Sequence, residues 1–272
     1  MRTFHLVALC LGASLLAACA DKAPTTRSTI EPPSPGVPET ALRSLQSGSA
    51  LELQQAVAAL ADAPDVTEAG VERVAQVSRE ADDLPNRIAA IEVLQRWLTR
   101  QPGLRVEVAR ALLRTAQGPH EDMVRGMAVQ VIALHPRGDW PQDVVASLGR
   151  LVQTDPLAQN REIAALALGH VRGAQAGPAL ESLRAAYATE MDRSSRRAML
   201  LNIVEVAGRD APRVLAGLNE SSPLIVQDIR DYQEILGRGA TRIAEIWDQK
   251  LARDIERGTV IGTEKEKAHL AD

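Results

Sequence analysis

Few residues in this chain have the type and spacing to do chemistry. Two thiols occur, Cys10 and Cys19, both within the first twenty positions. A thiolate can act as a nucleophile, a soft metal ligand, half of a disulfide or an attachment point. No cysteine follows Cys19, so the rest of the chain has no thiol for a disulfide, a cysteine-ligated zinc or an iron–sulfur cluster. His120, His135, His170 and His269 do not stand at the spacing of an HExxH helix. The run "HED" at 120–122 precedes a helical pattern, where acidic side chains favour the helix dipole. There is no G-x-S-x-G elbow, no P-loop and no dinucleotide glycine pattern after a strand. Paired carboxylates such as "ADD" at 81–83 lie in turns, where they cap helices. The expectation is a protein that is not an enzyme and has no metal site.

Cys19 has a more specific setting. Arg2 gives a positive start, and Leu6 through Ala18 is apolar or small throughout. That run is too short to span a bilayer and suits the apolar core of a secretory signal. Two cleavage patterns fit. Ala18-Cys19-Ala20 is an A-x-A site that would start the mature chain at Asp21. Leu16-Ala17-Ala18-Cys19 resembles the lipobox of bacterial lipoproteins, and this is the more specific match. The resemblance implies a signal over 1–18, acylation of Cys19 and no other cofactor. It also implies an envelope location, anchored without spanning. Ala20 rather than Asp follows the cysteine, which points to the outer membrane, facing the periplasm. A mature chain with no further thiol suits an oxidising compartment.

Residues 19–39 read as a tether. Pro24, Pro32, Pro33, Pro35 and Pro38 punctuate Thr, Ser and Gly, a composition that buries too little apolar surface to order a chain. In polyproline geometry it would reach about 60 Å. Residues 40–258 form the folded part and 259–272 a polar tail. Removing the signal takes away only Arg2 among charged residues, so the net charge of −4 becomes −5. That argues against general nucleic-acid binding. Aromatic residues make up only 2% of the chain, fewer than small-molecule pockets usually recruit.

The elements that carry these residues are helices. Ile88, Ile91, Leu94 and Leu98 make one stripe at helical spacing, and Val106, Ala109, Leu112 and Leu113 another. Strict alternation is nearly absent. Breakers rich in Gly, Pro and Asp recur at 100–103, 117–122, 135–141, 153–156, 172–178 and 207–212. Four segments align between them: "RIAAIEVL" from Arg87, "RGMAVQVI" from Arg125, "EIAALALG" from Glu162 and "RAMLLNIV" from Arg197. Each is followed by a turn and a second helical segment. This unit of about 35–38 residues resembles the HEAT repeat, in its short phycobilisome-lyase-type form. Residues 160–187 match best, and the resemblance covers roughly 84–220. It implies an all-α fold, a right-handed α-solenoid of HEAT-like helix–turn–helix repeats, with capping helices on both sides. The tetratricopeptide repeat has a similar period, but its landmark residues do not recur in register.

A repeat of packing positions carries no catalytic group, so the candidates are surface groups. Residues 62–83 are strongly acidic, and 84–118 hold six arginines against two acids. Either neighbouring helices pair these charges, or Arg105, Arg110 and Arg114 form a ridge that attracts an acidic partner. Arg193, Arg196 and Arg197 stand at a helix start, where they oppose the dipole. Trp97 and Trp140 are the rings that could stack on a ligand, with Trp140 also a candidate contact for a partner. The expected function is a membrane-anchored scaffold or adaptor that binds another envelope protein. The alternative is a lipoprotein that binds a glycan or lipid.

Overall fold

The computed structural model describes residues 37–135, 138–240 and 243–257; the side chains of Ile243, Ala244, Trp247 and Ile255 are also outside the description. The signal, Cys19, nearly all of the tether and the polar tail therefore lie outside the described residues. The chain is all-helical among the described residues, and its helices divide into two compact units, one ending at Val108 and one beginning at Ala109.

Unit 1 holds α1 (Glu39–Ser47), α2 (Ala50–Ala61), α3 (Glu68–Glu80) and α4 (Leu84–Arg100). Their starts are set locally. The Glu52 carboxylate accepts the Ser49 backbone N–H and hydroxyl, both at 2.7 Å, and Thr67 Oγ1 accepts Gly70 N–H at 3.2 Å. Pro85 sits in the first turn of α4, where its missing N–H costs nothing. Leu45, Leu60, Val74, Ile91, Leu94 and Trp97 are buried between these helices. Asn86 ties α4 to α1 by donating to the Leu45 carbonyl at 3.0 Å.

α5 (Arg105–Gln117) crosses the boundary. Unit 2 continues with α6 (Asp122–Ala133), α7 (Gln142–Thr154), α8 (Ala158–Gly169), α9 (Ala176–Thr189), α10 (Arg193–Ala207), α11 (Ala211–Ala216), α12 (Pro223–Gly237) and α13 (Ile243–Glu256). α6 packs on α8 and α8 on α10; α7 packs on α9. The first helices run side by side in the same direction. Asn160 of α8 donates to the Asp122 carbonyl at the start of α6, and Gly138 pairs with Val171 just past their other ends. Close approach explains two glycines on this layer. A Cβ on Gly126 would collide with Asn160 Oδ1, and one on Gly169 with Asn202 Oδ1.

Candidate functional site

The polar groups of unit 2 form a ladder that follows the repeats. Arg125 of α6 donates to Asp155, the residue closing α7, through Nε at 3.0 Å and a second nitrogen at 3.1 Å. Arg161 of α8 makes the same fork to Glu190, which closes α9, at 2.6 and 2.8 Å. Arg196 of α10 reaches Glu220 beyond α11 at 2.6 Å. Each carboxylate is almost fully enclosed, with its side chain 2% exposed. Arg125 and Arg161 also donate to carbonyls of the preceding turn. Arg87 does the same to Ala81 in unit 1.

The ladder fixes the repeat register as Arg87, Arg125, Arg161 and Arg196, with spacings of 38, 36 and 35 residues. Alignment of the sequence on Glu162 and Arg197 is thus one residue late in the last two units. Glu162 and Arg197 face other groups. Burial pushes Glu162 up from the ordinary carboxylate range, against hydrogen bonds from Ser195 and Ser194. Burial is the largest influence on Glu190, but the Arg161 fork and the backbone N–H groups of Asp192 and Met191 together outweigh it and hold the group below that range. At Glu220, hydrogen bonds from Tyr187, Ser222 and Ser221 and the charge of Arg196 likewise overcome burial. Tyr187 donates to Glu220 at 2.6 Å, and burial raises its own ionisation well beyond the usual phenol range. The Arg196 guanidinium lies 5.0 Å from the Tyr187 ring centroid.

The ladder ends in a buried cluster. Asp228 and Asp231 of α12 and Asp254 of α13 bring their carboxylates together, within the reach of one cation. The Lys250 ammonium takes that central place, 2.7 Å from Asp228, 3.5 Å from Asp231 and 2.5 Å from Asp254. Arg197 forks onto Asp228 at 2.6 and 3.1 Å and touches Asp254 at 3.3 Å. Arg257 and Arg253 approach Asp231 from the open side. Burial works against ionisation of Asp231, yet the Arg257 hydrogen bonds, Gln227 and the Lys250 charge bring it down to about 2. Chemically this is a set of acids neutralised by side-chain cations, a clamp between α10, α12 and α13.

The sequence candidates separate accordingly. Arg110 is held by Asp143 in a two-point contact of 2.7 and 3.2 Å. Arg196 and Arg197 belong to the ladder and the clamp. Asp192 resolves the mismatch at the start of α10 by accepting Ser195 N–H at 2.9 Å. Arg105 is half-buried and has polar contacts of its own. Arg114, which also has an interaction of its own, and Arg193 are exposed. Trp97 and Trp140 are only 0% and 3% exposed. Trp97 donates to the Leu60 carbonyl at 2.9 Å, and Trp140 packs against the His135 ring at 5.8 Å, so neither ring is offered for stacking. In unit 1 the charge asymmetry includes direct pairing, Arg100 with Asp62 at 2.5 Å.

Sequence reasoning missed Lys250, Asp228, Asp231 and Asp254. Their spacing carried the signal: Asp228 and Asp231 stand three apart, and Lys250 and Asp254 four apart, each pair on one helix face.

Compared with protein families, with curated proteins and with solved structures, the chain has no match.

Proposed function

We propose that this protein is a lipid-anchored scaffold of the bacterial envelope, held by Cys19 and binding another envelope protein through a HEAT-like α-solenoid. The observation that carries the reading is the recurrence of one contact. Arg125–Asp155, Arg161–Glu190 and Arg196–Glu220 join the first helix of a pair to the residues following its second helix, three times in succession. Units that bond to themselves and to their neighbours in a fixed register build an extended face from local contacts. Such faces bind partners. The buried carboxylates and cations are consumed in holding this arrangement, and the cavity beside Arg161, Glu190 and Met191 has a volume of about 160 Å³. The volume is small for a drug-sized ligand.

The anchor rests on Leu16-Ala17-Ala18-Cys19 and on the tether that follows. Two acyl chains hold a protein stably at a bilayer, since each buried methylene contributes about 0.8 kcal/mol. Metabolic labelling with an alkynyl fatty acid tests it. The wild-type chain takes the label and Cys19→Ala does not; an unlabelled wild type with a mature N-terminus at Asp21 overturns the anchor.

A further inference from the structure

One edge of unit 2 combines two repeated surface features. The turns that lead from a second helix to the next first helix carry Leu157 and Met191, and the first turn of α6 carries Met123; they are 36%, 92% and 45% exposed. The other large apolar side chains exposed among the described residues lie elsewhere, Leu51 in unit 1 and Leu134 at the opposite end of α6. The second helices α5, α7 and α9 carry Arg114, Arg150 and Arg184, all exposed. Arg114 stands between Arg110 and Gln117, which reach Asp143 and the Ser147 carbonyl of α7. Gly149 of α7 lies against Ser182 of α9, which puts Arg150 and Arg184 at similar levels of neighbouring helices, both exposed. Packed helices are about 8–10 Å apart, so the three arginines form a row at that interval. Each stands three to five residues from the end of its helix, about 5–8 Å behind the apolar tips. Arg193 is exposed next to Met191.

We infer that this edge docks on an anionic lipid surface. The apolar tips are single residues separated by a repeat, which suits shallow entry into a bilayer interface. Protein interfaces instead centre on a contiguous patch with aromatic or aliphatic anchors. Between the arginines the exposed residues are small or uncharged (Ala146, Gln153, Ala185, Ala188), with Glu181 the one acid beside Arg184. Guanidinium groups match phosphate oxygens by forked hydrogen bonds. The acids nearest the tips are engaged: Asp122 by Arg125 at 2.7 Å, Asp192 by Ser195 N–H, and Glu121 in a polar contact of its own. Three arginines and three apolar tips give a weak contact, which the Cys19 anchor proposed above makes effective by holding the domain at the surface. Docking by this edge turns the other faces of the repeats away from the membrane.

The test removes the anchor so that its failure and the failure of docking are separate. The mature chain carrying Cys19→Ser is given one thiol at a time, M191C, L157C or, on the opposite edge, A174C, each bearing an environment-sensitive dye. It is mixed with vesicles that are about one third phosphatidylglycerol in phosphatidylethanolamine. The dye at 191 and 157 should be quenched by spin-labelled lipid and the dye at 174 should not. The triple variant R114Q/R150Q/R184Q, whose helical spectrum should match the parent, lowers partitioning by roughly 100-fold, as do purely zwitterionic vesicles. Equal quenching at 174, no quenching at 191, or unchanged partitioning of the triple variant overturns the proposal. So does a photocrosslinker at 191 that captures protein rather than lipid in cells.

Discussion

Replacing Lys250 by Met isolates what the buried clamp contributes. Lys250 is 3% exposed, and its ammonium lies within 2.7 Å of both Asp228 and Asp254. Methionine keeps much of the volume and removes the charge. Three enclosed carboxylates then share Arg197, Arg253 and Arg257. Breaking a buried ion pair from one side costs about 3–5 kcal/mol, because the remaining charge stays in a poor solvent. Three cations persist here, so the lower end, about 3 kcal/mol, is expected. Chemical denaturation followed by circular dichroism reads the loss as a lower midpoint, and hydrogen exchange of the α12 amides assigns it to unit 2. The pH dependence adds a sign. In the parent, Asp231 is held at about 2, below its ordinary 3.8. Its contribution is complete above pH 3.8 and is lost as the pH falls through 2. The shift corresponds to an upper bound of about 2 kcal/mol, nearer 1 after solvent screening of the exposed Arg257. In Lys250→Met at least one carboxylate has its ionisation raised instead, so the deficit should shrink as the pH falls from 7 toward 4. Asp228→Asn in the same background should recover about half of the loss. A loss under about 1 kcal/mol, or a deficit that stays constant with pH, would refute the reasoning that these carboxylates depend on the ammonium.

The ladder gives a comparison between buried and exposed pairs. A double-mutant cycle on Arg161 and Glu190 should return a coupling above about 1.5 kcal/mol, while the exposed Arg73–Glu39 pair should return less than about 0.5 kcal/mol in the same denaturation assay. Gly126→Ala gains helix propensity but drives a methyl group into Asn160; a net destabilisation of about 1–2 kcal/mol is expected by thermal unfolding. Trp97→Phe leaves the Leu60 carbonyl without its indole partner, and should lower the stability of unit 1 by about 1–3 kcal/mol in equilibrium unfolding.

The helices were legible because their apolar faces repeat. Ile91, Leu94 and Leu98 of α4 and Leu112 and Leu113 of α5 are buried as their spacing requires, and the breakers at 117–122, 153–156 and 172–178 span helix boundaries. The register of the polar contacts was not legible. Arg161 and Glu162 are adjacent, as are Arg196 and Arg197, and only the direction in which each leaves its helix decides which one meets the end of the second helix. The clamp was hidden for a different reason. Charged residues such as Lys250, Arg253 and Asp254 on an amphipathic helix ordinarily make its solvated face. Ile246 is buried, but Lys250 and Asp254 are buried too, because Asp228 and Asp231 meet them from α12. The spacing within each helix groups its own pair, but it does not say that the two pairs meet. Trp140 could stack on a ligand by its residue type alone, and its burial, with His135 among its neighbours, depends on packing that no spacing shows.

The central claim is that an anchored repeat surface holds a protein partner at the membrane. Site-specific photocrosslinking in living cells, scanned over half-buried positions of α6, α8 and α10 beyond their first turns (Met127, Gln130, Leu166 and Val206) in the wild type and in Cys19→Ala, tests it most directly. The account predicts a discrete protein adduct of constant mass from several neighbouring positions, strong in the wild type and lost or greatly weakened without the anchor. The absence of any protein adduct from fully expressed chain, or an adduct equally strong in Cys19→Ala, would contradict it.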